Sequence, residues 1–168
     1  MTAPSDAELR ALVATLATKL EDSGRQLVTA ESCSGGWIAK ACTDLPGSSR
    51  WFRGGAVTYS NDSKSALLGV DPATISEHGA VSDPVARAMA TGALRSLGGD
   101  VSVAVTGIAG PDGGSPDKPV GTVWFAWARR EADGAIRVET ACEHLPGDRE
   151  AVRRGTVRRA LTGLLQDR

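Results

Sequence analysis

A serine hydroxyl becomes an effective nucleophile when a nearby base takes its proton, and an uncharged lysine amine can be that base. The segment from Gly47 to Lys64 offers both partners, with Ser48, Ser49, Tyr59 and Lys64 in one stretch. A lysine in that role must be desolvated or set near another cation, so that it sheds its proton more readily. Serines near a lysine recur by chance, so this spacing alone decides nothing. Two glycine-rich turns are the other candidates. In Ser32-Cys33-Ser34-Gly35-Gly36, free amides at a helix start and closely approachable backbone suit an anion. The spacing fits neither the dinucleotide-binding fingerprint nor a phosphate-binding loop, and a turn that merely needs small residues explains it equally well. The second turn runs from Thr106-Gly107 to Pro119, directly after an apolar β-branched run. Ligands of open α/β sheets sit outside the carboxyl ends of strands, so this loop reads as a site wall or lid.

Other reactive side chains carry less. His78 and His144 form no metal-like pair. Cys33 in its glycine-rich turn offers a thiolate nucleophile, against the commoner role of a small buried hydrophobe. Arg149, Arg153, Arg154, Arg158 and Arg159 form the one basic cluster. Their offsets do not share one helix face, so most are expected on the surface or at subunit contacts. Arg149 sits in the first helical turn beside Gly147 and Asp148, where a guanidinium suits a phosphate.

The elements that must position these residues follow from periodicity and caps. Ser5 and Glu8 form a capping box, and Leu9, Leu12, Val13, Leu16 and Leu20 continue at helical spacing to about Gly24. A strand is predicted over 26–30, followed by the Ser32–Gly36 turn and a helix through Cys42. A second strand spans 54–60, a short helix Asn61–Leu68, and a turn lies at Asp71-Pro72. Ser82 caps a helix to about Leu97, with Pro84 tolerated in its first turn. Val101–Thr106 reads as a core strand, and 120–129 and 136–143 as an antiparallel pair joined at Asp133-Gly134. Gly147-Asp148 opens the last helix. The result is one α/β domain covering 1–168.

The net charge of −1 supplies no general field for a nucleic-acid backbone. The amino end has no signal-peptide pattern, and no apolar run is long enough to span a membrane. Three cysteines without zinc or redox spacing fit a reduced, cytoplasmic protein. No cofactor and no metal are expected. Trp37, Trp51, Trp124 and Trp127 supply aromatic area for core or interface.

Taken together, six blocks resemble the CinA C-terminal family. They are TAESCSGGW (29–37), Gly47-Ser48-Ser49 with Trp51-Phe52 and Val57–Asn61, His78–Ser82, Gly107–Pro111, Pro119–Val123 and Gly147-Asp148-Arg149. They stand in family order over about residues 7–165. Ser34 replaces a usual threonine and keeps the hydroxyl. The resemblance implies a single-domain α/β/α sandwich with a mixed sheet, without the large domain that precedes it in full-length CinA proteins. It further implies a nicotinamide-nucleotide amidohydrolase acting without metal, in pyridine nucleotide salvage, as a possible homo-oligomer. Carried over position by position, Ser49 is the expected nucleophile and Lys64 its base, with Tyr59 and Thr106 in the hydrogen-bond network. Ser32, Ser34, Gly35, Gly107 and Arg149 are expected to hold a small-molecule nucleotide substrate, and amides of the Gly47–Ser49 turn its oxyanion. The main rival is a non-catalytic nucleotide-binding or regulatory module of the same fold. A nucleotide pyrophosphatase ranks below it, because no carboxylate cluster offers itself to a divalent metal.

Overall fold

The structure is a computed structural model and describes residues 3–166. Its elements are α1 (Asp6–Ser23), β1 (Leu27–Glu31), α2 (Trp37–Thr43), a 3-10 turn (Ser48–Arg50), β2 (Phe52–Val57), α3 (Asn61–Leu68), α4 (Pro72–His78), α5 (Asp83–Leu97), β3 (Val101–Gly107), β4 (Thr122–Arg130), β5 (Ile136–His144) and α6 (Arg149–Leu165). The capping box at Ser5 and Glu8 is present, and Gly24 closes α1 in the left-handed conformation. Asn61–Leu68 forms as predicted, capped by Ser60. The Asp71-Pro72 turn is instead the start of a helix: Asp71 caps the Ala73 amide and proline occupies the first turn, where no amide donor is needed. Ser82 precedes α5 without capping it, because its hydroxyl donates to the Gly79 carbonyl.

Five strands form one mixed sheet in the order β2-β1-β3-β4-β5. β1 runs parallel to both β2 and β3, whereas β4 and β5 return antiparallel. Right-handed crossovers explain the layers. The chain leaves β1 for β2 in one direction and returns past β1 to β3 in the other, so the intervening helices fall on opposite faces. On the first face, Leu27, Val103, Val105, Phe125 and Trp127 pack against α1, α2 and α6. On the second, Val28, Ala30, Ala104, Ala126 and Ala128 pack against α3, α4 and α5. The alanines let α5 lie close, and the Ser102 hydroxyl donates to the Ala90 carbonyl across that contact. This α/β/α arrangement reverses its winding at β1. A ligand crevice therefore belongs at the carboxyl end of that strand.

One glycine sets the distance between α3 and α5. A methyl group on Gly92 would lie 2.0 Å from the Leu68 carbonyl oxygen, which cannot rotate aside. Alanine gains up to about 1 kcal/mol of helix propensity, but overpacking costs about 1–3 kcal/mol. Gly92→Ala is therefore expected to destabilise the fold by about 1–2 kcal/mol in urea unfolding, despite the better helix former.

Candidate active site

β1 ends in two residues that face opposite ways. By strand alternation, Glu31 points to the α2 side and Ser32 to the α3 side. The ladder continues one residue past the strand, with the Ser32 amide donating to Val105 O and the Thr58 amide to Glu31 O. Ser32, Thr106 and Thr58 therefore lie side by side across the carboxyl ends of β1, β3 and β2, on the face covered by α3 and α5.

Lys64 reaches this row from the first turns of α3. Its side chain is almost completely buried, at 1% exposure. Nζ lies 2.8 Å from Thr58 O, 3.4 Å from Tyr59 O and 3.1 Å from Ser32 Oγ. No carboxylate pairs with it among these contacts. Burial disfavours the ammonium and holds the Lys64 amine below the ordinary lysine range. A neutral amine has two N–H groups and one lone pair. In that neutral form the two carbonyls can accept the N–H groups and leave the lone pair for the Ser32 hydroxyl. The geometry suits general-base activation of a serine.

Glu31 is fully buried, and the bonds to its carboxylate come from amides and hydroxyls. Its carboxylate accepts the Ile38 amide at 2.9 Å and the Ala39 amide at 2.8 Å, the open donors of the first turn of α2. The Ser34 hydroxyl donates to it at 2.7 Å. These bonds pin the Ser32–Gly36 turn to α2. Gly35 and Gly36 take positive φ angles of 63° and 91°, which the sharp return requires. Along this turn, the amides of Cys33, Ser34 and Gly36 donate to no backbone acceptor among the described residues, and the Cys33 amide bonds its own thiol. The Cys33 and Ser34 amides directly follow the Ser32 hydroxyl.

Ser49 is not part of this site. It lies in the exposed turn before β2, whereas Lys64 follows the other end of that strand. β2 separates them by roughly 17 Å at about 3.3 Å per residue. The Trp51 carbonyl accepts the Leu27 amide at the start of β1, which fixes the Gly47–Ser49 turn at the sheet's amino end. Its amides are correspondingly remote from Ser32 and cannot form an oxyanion site there.

The other expected residues divide. Ser32 meets Lys64 directly. The Ser34 hydroxyl is buried in the Glu31 cradle, so it holds the turn together and is not open to a ligand. Gly35 packs under Arg153. Gly107 pairs with Val123 at the end of β3, where a methyl group would meet the Thr122 carbonyl at 2.8 Å; packing demands this glycine. Thr106 donates to Ala80 O at 2.8 Å and keeps its oxygen beside Ser32. Arg149 donates to Gly110 O at 2.6 Å and to the Tyr59 hydroxyl at 3.1 Å, so α6, the loop after β3 and the segment after β2 meet at the mouth. Cys33 is buried and its thiol is pushed up to about 12 by desolvation, which leaves it unreactive.

The arginines of α6 are less solvated than their spacing suggests. Arg153 donates to Ser34 O at 2.9 Å and lies 5.1 Å from the Trp37 ring, which Arg154 also covers at 4.9 Å. Arg159 pairs with Glu143 and covers Trp127. A planar guanidinium can stack on a ring while donating in its own plane, so it packs where lysine would not. The sequence gave Glu31 no role of its own and placed Arg153 on the surface or at a subunit contact. An acidic residue closing an apolar run just before a serine-glycine turn is the available signal for the first. No local signal marks the second.

Fold and site together define an α/β protein with a lysine-paired serine at the point where its sheet reverses winding. The family model described as the CinA C-terminal domain matches residues 9–167, and the chain belongs to that family. It is 49% identical over 162 residues to the nicotinamide-nucleotide amidohydrolase PncC of Escherichia coli strain K12, covering 96% of each chain. It is 54% identical over 158 residues to the protein of the same name from Pseudomonas putida, covering 92% of this chain and 96% of that one. Among solved structures, a competence/damage-inducible protein from Agrobacterium tumefaciens superposes with a TM-score of 0.87 at 41% identity, covering 99% of both chains. A CinA superfamily protein from Escherichia coli gives 0.88 at 37% identity, covering 98% and 93%.

Two outcomes follow from the buried charges. Glu31→Ala strands two amides and the Ser34 and Thr29 hydroxyls and is expected to cost about 3 kcal/mol in urea unfolding, with Glu31→Gln costing less because one oxygen acceptor remains. For Lys64, the native amine releases its proton below the ordinary value of 10.5 at which the unfolded chain does so. Between those values the unfolded state binds the extra proton, so native stability rises with pH across that window. Melting curves should show wild type gaining on Lys64→Met as pH climbs toward 10.5. A pH-independent difference would mean that Lys64 is charged in the fold.

Proposed function

We propose that this chain is a nicotinamide-nucleotide amidohydrolase in which Ser32, not Ser49, is the nucleophile and Lys64 its base. The observation that carries the reading is the uncompensated, buried Lys64 amine 3.1 Å from the Ser32 hydroxyl. The relatives named for this activity supply the substrate class. Ser32 Oγ attacks the carboxamide carbon of nicotinamide mononucleotide while its proton passes to Lys64 Nζ. The carbonyl electron pair moves to oxygen, where the amides of Cys33 and Ser34 stabilise it; one such donor is worth about 3 kcal/mol. As this intermediate collapses the C–N bond breaks, and the leaving nitrogen takes the proton from Lys64 and departs as ammonia. Water, deprotonated by the same amine, then cleaves the acyl-serine and releases nicotinic acid mononucleotide.

The surrounding residues orient the substrate. The Thr106 oxygen lies beside Ser32 and can accept an N–H of the carboxamide. Arg149 retains guanidinium N–H groups beyond its two protein contacts, and these suit the nucleotide phosphate. The exposed Tyr59 ring, its hydroxyl held by Arg149, walls the mouth on the β2 side. The chemistry needs no metal, and no group of three or more His, Cys, Asp or Glu side chains converges among the described residues. No described helix is long and apolar enough to cross a membrane. The reaction belongs to pyridine nucleotide salvage in the cytoplasm.

Ammonia and nicotinic acid mononucleotide, followed together in metal-free buffer, test the assignment. Both should appear in equal amounts from wild type. Ser32→Ala should lower turnover about a thousandfold or more, whereas Ser49→Ala should turn over near the wild-type rate. The reverse pattern returns the nucleophile to Ser49, and a folded wild-type protein that releases no ammonia removes the amidohydrolase.

A further inference from the structure

Thr58 is a fully buried residue whose hydroxyl has no hydrogen-bond partner among the described residues. A buried hydroxyl left unpaired is costly, and such groups are uncommon in native folds. This one belongs to the residue whose carbonyl is the nearest acceptor to Lys64 Nζ, at 2.8 Å. Strand alternation also turns the Thr58 side chain to the face of Ala56, the same face from which α3 brings Lys64.

The proton inventory at Nζ indicates a use for it. The neutral amine is satisfied by Thr58 O, Tyr59 O and the Ser32 hydroxyl. Once the Ser32 O–H bond breaks and a third N–H forms, the amine becomes an ammonium with three donors. Ser32 Oγ is by then bonded to the substrate carbon and is a poor acceptor. We propose that the Thr58 hydroxyl accepts this third N–H while Lys64 carries the proton, a positioning role that rests on the Ser32–Lys64 reading. The cost of the unpaired hydroxyl falls on the resting protein and is relieved when the charge appears. The effect is differential stabilisation of the charged intermediate.

Other groups near Lys64 do not take this part. Cys33 bears electrostatically on Lys64 but stays protonated, with its thiol at about 12. Glu31 is turned to α2, and the Tyr59 hydroxyl accepts from Arg149. Asp62 on α3 and Glu77 and His78 on α4 are exposed, and Asp83 on α5 is held by Arg87 and Thr140.

Thr58→Val keeps the shape and removes the hydroxyl. Only four lysines are present, at 19, 40, 64 and 118, so carbon-13 labelling of lysine lets NMR follow Lys64 directly, without turnover. The Lys64 midpoint should fall by about one pH unit in Thr58→Val. The acid limb of kcat/KM should move down with it while kcat drops about tenfold, and Thr58→Ser should restore all three. The variant should also melt about 3 °C higher, because it no longer buries an unpaired hydroxyl. An unchanged or raised Lys64 midpoint overturns the proposal, as does a lowered melting temperature, which would mark a hydroxyl already partnered at rest. Loss of the amidohydrolase reading is seen separately, as wild-type protein that releases no ammonia or as an active Ser32→Ala.

Discussion

An amine buried without a counter-charge is the constraint on which the rest of this molecule depends. Transferring an ammonium from water into a protein interior is costly, and a carboxylate nearby would offset that cost by keeping the lysine charged and useless as a base. The hydrogen-bond partners of the Lys64 amine are carbonyl and hydroxyl oxygens, with no carboxylate among them. The two carbonyls come from the segment just past β2, where the strand has ended and its last acceptors have no further ladder to join. Burying the lysine and ending the strand are thus a single solution to two unpaired-group problems.

The same logic keeps the one buried carboxylate apart. Glu31 is adjacent in sequence to Ser32 and equally buried, yet the two-residue period of a strand sends it to the opposite face. There the amides opening α2 neutralise it. A one-residue slip of β1 would exchange the two side chains, placing an acid beside Lys64 and a hydroxyl under α2. Register at this strand is therefore also a control on chemistry, and the parallel pairings to β2 and β3 fix it from both sides.

The winding of the sheet makes these contacts possible. Because crossovers to β2 and to β3 leave on opposite faces, the carboxyl end of β1 opens between them. α6 closes this opening from its first turns, with Arg149 tied to the loop after β3 and Arg153 to the turn after β1. Gly92 on α5 sets how closely α3 approaches, so a residue far from the reacting atoms governs where the lysine amine stands.

Local chemistry was legible in the sequence wherever its cause was local. The Ser5–Glu8 box, the Ser60-capped helix carrying Lys64, the antiparallel pair around Asp133-Gly134 and the order of the six family blocks all rest on neighbours a few residues apart. The α4 helix was hidden because Asp71-Pro72 is as good a helix start as a turn. The site was legible as a set of residue types, with Lys64, Ser32, Tyr59, Thr106 and Arg149 all marked. Their pairing was not. Lys64 stands fifteen residues from Ser49 and thirty-two from Ser32, so proximity along the chain favoured Ser49, whereas in the fold it is Ser32 that meets the amine. The physical reason is that parallel strands bring together residues that follow like ends and separate those at opposite ends of one strand. Only the tertiary structure could also turn Glu31 away and leave Thr58 unpaired beside the amine, because both depend on which side of a shared sheet a side chain leaves.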